Sequence, residues 1–238
     1  MELEGRVVVI TGATGGLGHV VARAFAEQGA ALAALSSSQA RLDALGQELG
    51  LPSEHWLAHA ADLREPTSAR GAAESVLRAF GRADILLHLV GGWVGGKELA
   101  ATEAGDLTSM LDQHVWTTFH VLQAFAPHLA ASGRGRIVVV SSQVASRPPA
   151  KSGIYAAAKA AEEALVLTLA QEARTKGVTA NVLQVRAIDV QHMRDTEPAA
   201  SNASWTTPEE IAAAMLYLCS PEAGMVNGVR LPLTGSGA

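Results

Sequence analysis

The sequence predicts an α/β fold: a single domain over residues 1–238, with a doubly wound parallel sheet and helices on both of its faces. Short runs rich in β-branched residues alternate with alanine-rich runs of helical periodicity, as in βαβ units. Hydrophobic residues make up 48% of the 238, enough for one large core. A glycine-rich turn joins the first predicted strand to the first predicted helix.

The predicted elements follow one another in a regular order. Residues 7–10 read Val-Val-Val-Ile, a buried strand, and apolar residues at helical spacing predict a helix at 16–28, which Gly29 ends. The same pattern predicts a strand at 30–35 and a helix at 39–49. Further strands are expected at 56–61, 85–90, 137–141 and 180–185, separated by helices at 68–80, 105–131 and 155–176. Thr207 and Pro208 mark the start of a last helix at 208–218.

Composition excludes several classes of partner and site. A net charge of -5 leaves no excess of basic residues for a phosphate backbone, so no nucleic-acid partner is expected. The single cysteine, Cys219, lies in an apolar run and predicts a buried hydrophobe; no metal site is expected. An acidic amino terminus and the lack of an apolar run of about 20 residues predict a cytoplasmic protein with no membrane partner.

The first chemical signal is the run Thr-Gly-Ala-Thr-Gly-Gly-Leu-Gly at 11–18. Glycines between a strand and a helix let the backbone turn tightly and approach a pyrophosphate, whose charge then lies at the helix amino terminus. This predicts cofactor contacts from Gly12, Thr14, Gly16, Leu17 and Gly18. A glycine-rich turn with a purely structural role is the alternative.

The second signal is the set Ser142, Tyr155 and Lys159. The four-residue step from Tyr155 to Lys159 places both side chains on one helical face, where the ammonium can favour the ionised phenol. Ser142 ends a predicted strand and can donate to the same substrate oxygen. Taken alone, Tyr-x-x-x-Lys is more often a pair of solvated surface residues.

With these motifs in this order, the sequence resembles the short-chain dehydrogenase/reductase family over essentially its whole length. Asp62-Leu63 after the third predicted strand, Gly91 after the fourth, Asn181 and Gly228 complete the match. The resemblance implies a Rossmann-type fold and hydride transfer to or from a nicotinamide cofactor. It further implies adenine contacts from Asp62 and Leu63, a ribose contact from Lys159, and Tyr155 as the acid or base.

The chain departs from the family pattern at three places. His88-Leu89-Val90-Gly91 replaces Asn-Asn-Ala-Gly, and Val185-Arg186 replaces Pro-Gly. His114 aligns with the usual catalytic Asn, where its imidazole could hold a water near Lys159; an ordinary packed histidine is the alternative. His88 is expected to be structural.

A partial resemblance to dihydropteridine reductase and its relatives rests on the Gly-Gly-Trp-Val-Gly-Gly run at 91–96 and on Ser204-Trp205-Thr206. That subgroup dispenses with the catalytic serine, whereas Ser142 is present here. It also reads NADH with an acidic residue at the position that Ser36 occupies. Serine hydroxyls at Ser36 and Ser37 can hydrogen-bond a 2'-phosphate without repelling it, so NADP(H) is favoured over NAD(H), although a serine run is also an ordinary loop.

Substrate contacts are expected from Trp93, Val94, Gly95, Val144 and a loop or lid at 186–207, because ligands in this architecture lie beyond the carboxyl ends of the strands. Three functions follow: a carbonyl/alcohol oxidoreductase acting on a small molecule, a pteridine-like ring or imine reductase, and a non-catalytic dinucleotide sensor. The family resemblance also implies a homodimer or homotetramer formed through the two long helices predicted at 105–131 and 155–176.

Arg41 lies one turn beyond the serine run at 36–38, and its side chain is expected to face solvent.

Overall fold

The computed structural model describes residues 3–234, and its strands form one parallel sheet. The strands are β1 (Val7–Thr11), β2 (Ala31–Ser36), β3 (Trp56–Ala60), β4 (Ile85–His88), β5 (Arg136–Ser142), β6 (Thr179–Val185) and β7 (Arg230–Leu233). Their order in the sheet is β3-β2-β1-β4-β5-β6-β7, with every pair parallel. The predicted single-domain, doubly wound fold is confirmed.

Helices cover both faces of this sheet. They are α1 (Gly16–Ala26), α2 (Gln39–Leu49), α3 (Pro66–Phe80), α4 (Ala104–Met110), α5 (Thr117–Ala131), α6 (Gly153–Glu172), α7 (Met193–Thr196) and α8 (Pro208–Cys219). Single 3-10 turns occur at Ser53–His55, Leu99–Ala101, Gln143–Ala145 and Arg174–Lys176. The helix predicted at 105–131 is interrupted: a π-helical segment, Leu111–Trp116, joins α4 to α5.

The central strands are buried on both sides, so two apolar layers form. Val7 and Val9 of β1 point into the layer beneath α3, α5 and α6. Val8 and Ile10 point the opposite way, into the layer that contains residues of α1, α2 and α8. This alternation explains why the strand is a continuous apolar run, as expected for a parallel sheet covered on both faces.

The strand order reverses between β1 and β4, and this reversal places the ligand crevice. β1 pairs with β2 on one side and with β4 on the other. The connections that leave the carboxyl ends of β1 and β4 run to opposite faces of the sheet, so a crevice opens there. The glycine turn follows β1 and the Leu-Val-Gly-Gly segment follows β4.

The edge strand β7 was not predicted, and side chains from β6 position it. Asn181 donates to the Val226 carbonyl oxygen at 2.8 Å and accepts from the Val229 amide at 3.1 Å. Gly228, with φ of 71°, makes the turn into the strand. Pro232 is tolerated because β7 lies at the edge of the sheet.

Both ends of α8 agree with the prediction from sequence. Thr207 forms a capping box with Glu210 at the start of α8, as its sequence position predicted. Cys219 is buried. Across residues 3–234, no helix is both long and apolar enough to cross a membrane.

Candidate active site

The glycine turn after β1 forms one wall of the crevice. Gly12 has φ of 69°, and a Cβ at this position would lie 3.0 Å from the carbonyl carbon of Leu89. A Cβ on Gly18 would lie 2.5 Å from the carbonyl oxygens of Gly12 and Ala13. A larger residue would therefore push apart the turn, the start of α1 and the segment after β4.

The amino end of α1 opens into the crevice. Gly15 caps the helix without a side-chain hydrogen bond, and the first helical amide bond runs from His19 to Gly15. The N–H groups of Gly16, Leu17 and Gly18 precede that bond and so lack an intrahelical partner. Combined with the helix dipole, they make a site that fits the pyrophosphate of a dinucleotide.

A cleft of about 410 Å³ leads from this turn past the carboxyl ends of β2 and β3. Ser36 Oγ lies 2.7 Å from Thr14 Oγ1, and Ser37 lines the cleft with them. Asp62 and Leu63, which follow β3, line the same cleft. The structure thus brings together the residues predicted for the adenosine end of the cofactor.

Two arginines border this cleft as well. The Arg41 guanidinium donates to the carbonyl oxygen of Thr14, so Arg41, although exposed, faces the cleft rather than bulk solvent alone. Arg64 donates to the Asp62 carboxylate through Nε at 2.9 Å and Nη2 at 2.7 Å. These hydrogen bonds from Arg64 lower the pKa of Asp62.

A second cleft, of about 840 Å³, shares Gly12 and Gly91 with the first and contains the predicted catalytic side chains. Ser142 ends β5, and Tyr155 and Lys159 lie one turn apart near the start of α6. The fourth predicted catalytic residue, His114, lies in the π-helical segment and lines the same cleft. Single π turns within helices are frequent at functional sites.

The ammonium of Lys159 is buried and firmly held. Its Nζ donates to the Val140 carbonyl oxygen at 2.9 Å and to Glu162 Oε2 at 2.7 Å. An ammonium has three protons, so one remains for a ligand in the cleft. A Cβ on Gly91 would lie 3.0 Å from His114 Cε1, which explains why glycine suits this position near the lysine.

The pKa of Tyr155 moves in the opposite direction from the one that the sequence led us to expect. Burial raises it to about 12, and the negative charge of Glu162 acts in the same direction. A hydrogen bond with Ser142 lowers it by less. The carboxylate of Glu162 is paired with Lys159, so the ammonium does not act on the phenol as an isolated positive charge.

His114 is buried against Tyr155, with the two ring centroids 5.5 Å apart and the planes at 70°. Its Nε2 lies 2.9 Å from the carbonyl oxygen of Gly92, so Nε2 is the donor. Burial lowers the pKa of His114 to about 4, and the charge of Lys159 contributes. The neutral ring leaves Nδ1 as an acceptor, which no group among the described residues reaches.

His88 is fully buried at the end of β4 and hydrogen-bonds to the neighbouring strand β1 and to helix α5. Its Nδ1 lies 2.8 Å from Thr11 Oγ1 on β1, and its Nε2 lies 3.0 Å from Thr118 Oγ1 on α5. Burial lowers the pKa of His88 to about 3, and electrostatic interactions with Lys159 and then His114 lower it by smaller amounts. A neutral histidine that bonds on both sides has the structural role expected from the sequence.

Several apolar side chains line the second cleft together with the predicted catalytic residues. Trp93, Val144 and Trp205 line it, together with Arg186, Ile188 and Val190 of the segment at 186–207. Trp93 is 63% exposed. Val94 and Gly95 line a smaller depression, and a Cβ on Gly95 would lie 2.8 Å from the Trp93 ring, so glycine lets the indole pack close to the backbone.

Sequence reasoning missed two candidate functional residues, Arg41 and Glu162. Arg41 was expected in solvent because it lies one turn beyond the serine run, yet α2 directs its guanidinium back towards Thr14. Glu162 carried a usable signal: it is charged and lies three residues after Lys159, on the same helical face. A charged residue on the buried face of a helix needs an oppositely charged or hydrogen-bonding partner, because burying an unpaired charge is unfavourable.

Comparison with known proteins agrees with this geometry. Residues 6–201 match the family model described as short chain dehydrogenase. A curated relative, D-threitol dehydrogenase from Mycolicibacterium smegmatis, is 30% identical over 246 residues, covering 98% of this chain and 93% of the relative.

Two solved structures are similar over nearly their whole length. One is 3-ketoacyl-(acyl-carrier-protein) reductase from Brucella melitensis complexed with NADH, with a TM-score of 0.89, 26% identity, and 99% of both chains covered. The other is an NADPH-bound short-chain oxidoreductase from Pseudomonas aeruginosa PAO1, described as containing an atypical catalytic centre. It has a TM-score of 0.89 and 27% identity, covering 99% of this chain and 97% of that chain.

Proposed function

The chain belongs to the short-chain dehydrogenase family and is a nicotinamide-dependent oxidoreductase, and from this premise we propose that it reduces a ketone to an alcohol with NADPH. One observation carries the proposal. Ser142, Tyr155 and Lys159 line the cleft that begins at the glycine turn, so a dinucleotide bound there ends beside a proton donor. Membership in a family of dehydrogenases and reductases also sets aside the alternative of a non-catalytic sensor.

Tyr155, Ser142 and Lys159 each have a different role in the proposed reaction. A nicotinamide dinucleotide held by the glycine turn and by Lys159 would supply the hydride for the carbonyl carbon. Tyr155 gives its phenolic proton to the carbonyl oxygen, and Ser142 donates a hydrogen bond that holds that oxygen in place. Lys159 directs its remaining N–H into the cleft, where a ribose hydroxyl can accept it.

The raised pKa of Tyr155 favours the reductive direction. A phenol with a pKa of about 12 stays protonated at neutral pH and is ready to act as an acid. The reverse reaction needs the phenolate, which is scarce at neutral pH. The proposal therefore expects ketone reduction to be the faster direction near neutrality.

Tyr155→Phe tests the assigned chemistry. The variant should lose turnover of NADPH with every ketone while its NADPH dissociation constant stays within about threefold of the parent, since general acid catalysis is removed and binding is not. Tyr217→Phe, at the other tyrosine of the chain, is the matched control because Tyr217 lies exposed on α8. Unchanged turnover in Tyr155→Phe would refute the proposed role.

We also propose NADP(H) as the preferred cofactor. Ser36, Ser37 and the guanidinium of Arg41 border the first cleft, and Arg64 adds a second positive charge there. A 2'-phosphate would meet donors rather than a carboxylate at the end of β2. The two structural relatives were captured with different cofactors, one with NADH and the other with NADPH.

Dissociation constants for NADPH and NADH measure this preference. Arg41→Ala should weaken NADPH about tenfold, the cost of one charged hydrogen bond, and weaken NADH much less. Arg70→Ala, at an exposed arginine of α3, is the control and should change neither constant. Tighter binding of NADH than of NADPH by the parent protein would reject the preference.

A planar ring substrate, as in the pteridine-like alternative, has one observation in its favour. Trp93 and Trp205 both line the second cleft and can stack on a flat ring. Assaying ketones and quinonoid dihydropteridines side by side distinguishes the two substrate classes. Trp93→Leu should raise KM at least threefold more for a ring substrate than for an aliphatic ketone.

The segment at 186–207 is proposed as the substrate lid. It lines the second cleft and also reaches the start of α1, where a Cβ on Gly16 would lie 2.7 Å from Val190 Cγ1. Asp189 is buried and accepts from the amides of Met193 and Arg194 at 2.8 Å, which anchors α7 within the segment. Deleting that anchor with Asp189→Ala should raise KM for the substrate and leave the NADPH dissociation constant unchanged.

A homodimer or homotetramer is proposed through the face shared by α5 and α6. A groove of about 580 Å³ runs between these helices and is lined by apolar side chains, among them Leu122, Pro127, Leu165 and Leu169. Leu165→Glu should shift the mass measured by light scattering to that of a single chain. Location in the cytoplasm stays a prediction.

A further inference from the structure

Glu162 is a fully buried acid that hydride transfer, as described above, does not require. It lies on α6 three residues after Lys159, and its side chain is 0% exposed. Oε2 accepts from Lys159 Nζ at 2.7 Å, and Oε1 accepts from Thr118 Oγ1 at 3.3 Å. The carboxylate is therefore bonded on both oxygens within the core.

The hydrogen bonds around Glu162 form a chain with one consistent direction. Thr118 has one hydroxyl proton, and the bond to Glu162 uses it, so the contact with His88 requires His88 Nε2–H as the donor. His88 Nδ1 then accepts from Thr11 Oγ1, which in turn accepts from the Leu89 amide. Every proton in this chain points towards Glu162, as a carboxylate requires.

The ionised form of Glu162 also follows from the burial of Lys159. Both side chains are withdrawn from water, and a buried ammonium without a counter-charge is strongly unfavourable. The charged groups that act on Glu162 are Lys159 and its neighbour Glu163, while His88 behind Thr118 is neutral. Burial raises the pKa of Glu162, and the ammonium and the Thr118 hydroxyl oppose that rise.

We propose that Glu162 is a positioning residue that holds the ammonium of Lys159 beneath the cleft and offsets its positive charge at Tyr155, so that Tyr155 is kept as a proton donor. This role rests on the proposed function, in which Tyr155 gives its phenolic proton to the substrate oxygen. Two features of the structure agree with it. The charge of Glu162 disfavours the Tyr155 phenolate, and no acidic side chain among the described residues lines the second cleft with Tyr155.

The chain allows the ionisation of Tyr155 to be measured without substrate. Only two tyrosines are present, Tyr155 and Tyr217. In a Tyr217→Phe parent, the ultraviolet absorbance of phenolate reports Tyr155 alone as pH is raised from about 8 to about 12.5. Tryptophan fluorescence recorded on the same samples shows the range over which the protein stays folded.

Glu162→Gln in this parent removes the charge and preserves the shape of the side chain. The titration of Tyr155 should move down by about one pH unit, giving about tenfold more phenolate at a given pH, because Lys159 is no longer offset. Glu162→Asp, which keeps the charge, should stay close to the parent. The matched control is Glu163→Gln: Glu163 is equally buried but bonds Gln184 and Arg230 on the side of β6 and β7.

Two results would overturn the proposal. One is a Tyr155 titration that Glu162→Gln leaves unchanged or that Glu163→Gln shifts equally. The other comes from the parent alone, if Tyr155 ionises at or below the value of about 10 for free tyrosine; this outcome holds even if Glu162→Gln does not fold. A failure of the proposed function would appear instead as absent turnover with ketones, which leaves the titration unaffected.

Discussion

Acid should destabilise this protein through His88, and the effect can be worked out from its burial. The pKa of His88 is lowered from 6.5 to about 3 in the folded protein, first by burial and then by the charge of Lys159. Between those values the unfolded chain binds a proton that the folded protein does not. The stabilising contribution is therefore complete above about pH 6.5 and is lost as pH falls towards 3. At about pH 5 the loss from this one residue is about 2 kcal/mol.

Urea unfolding at about pH 7 and about pH 5 measures this loss, with protein concentration held constant because an oligomer would couple stability to concentration. His88→Asn should lose about 2 kcal/mol less than the parent between the two pH values. Since the comparison is made within each variant, a uniform loss of stability does not affect it. His55→Asn, at an exposed histidine, is the control. Equal acid losses in the parent and in His88→Asn would refute the argument.

Four further substitutions test the fold by urea unfolding. Gly18→Ala should lower the free energy of unfolding by at least about 2 kcal/mol, because its Cβ would meet two carbonyl oxygens at 2.5 Å. Gly71→Ala, in open space on α3, should instead stabilise the protein by up to about 1 kcal/mol. Equal effects of the two substitutions would contradict the steric argument. Asn181→Ala should cost about 2 kcal/mol by leaving two backbone groups near β7 unpaired, and a change below about 0.5 kcal/mol would show that β7 docks without it. Thr207→Ala should cost about 1 kcal/mol through loss of the cap of α8, which a neutral effect would rule out.

Much of the active site could be located from sequence because its motifs are local. The glycines between β1 and α1 are required by contacts within one turn, and Tyr155 and Lys159 are brought together by a single helical step. The sheet topology then brings Ser142 to the same cleft, since β5 lies next to β4 and ends beside it.

What could not be predicted depends on contacts between distant segments. β7 reads as Arg-Leu-Pro-Leu, too short and irregular to be recognised, and becomes a strand because Asn181 and the edge of β6 position it. The long helix predicted at 105–131 shows no break in its periodicity, yet the π segment turns His114 into the cleft.

The sequence by itself determined the α/β class and the candidate catalytic residues, because hydrophobic periodicity and short motifs act over a few residues. Only the tertiary structure decided the electrostatics of that set. The pKa of Tyr155 is raised first by its burial and then by the charge of Glu162, which α6 buries beside Lys159. Arg41 reaches the first cleft, beside Thr14, for the same kind of reason: the surroundings of a side chain depend on which elements pack around it.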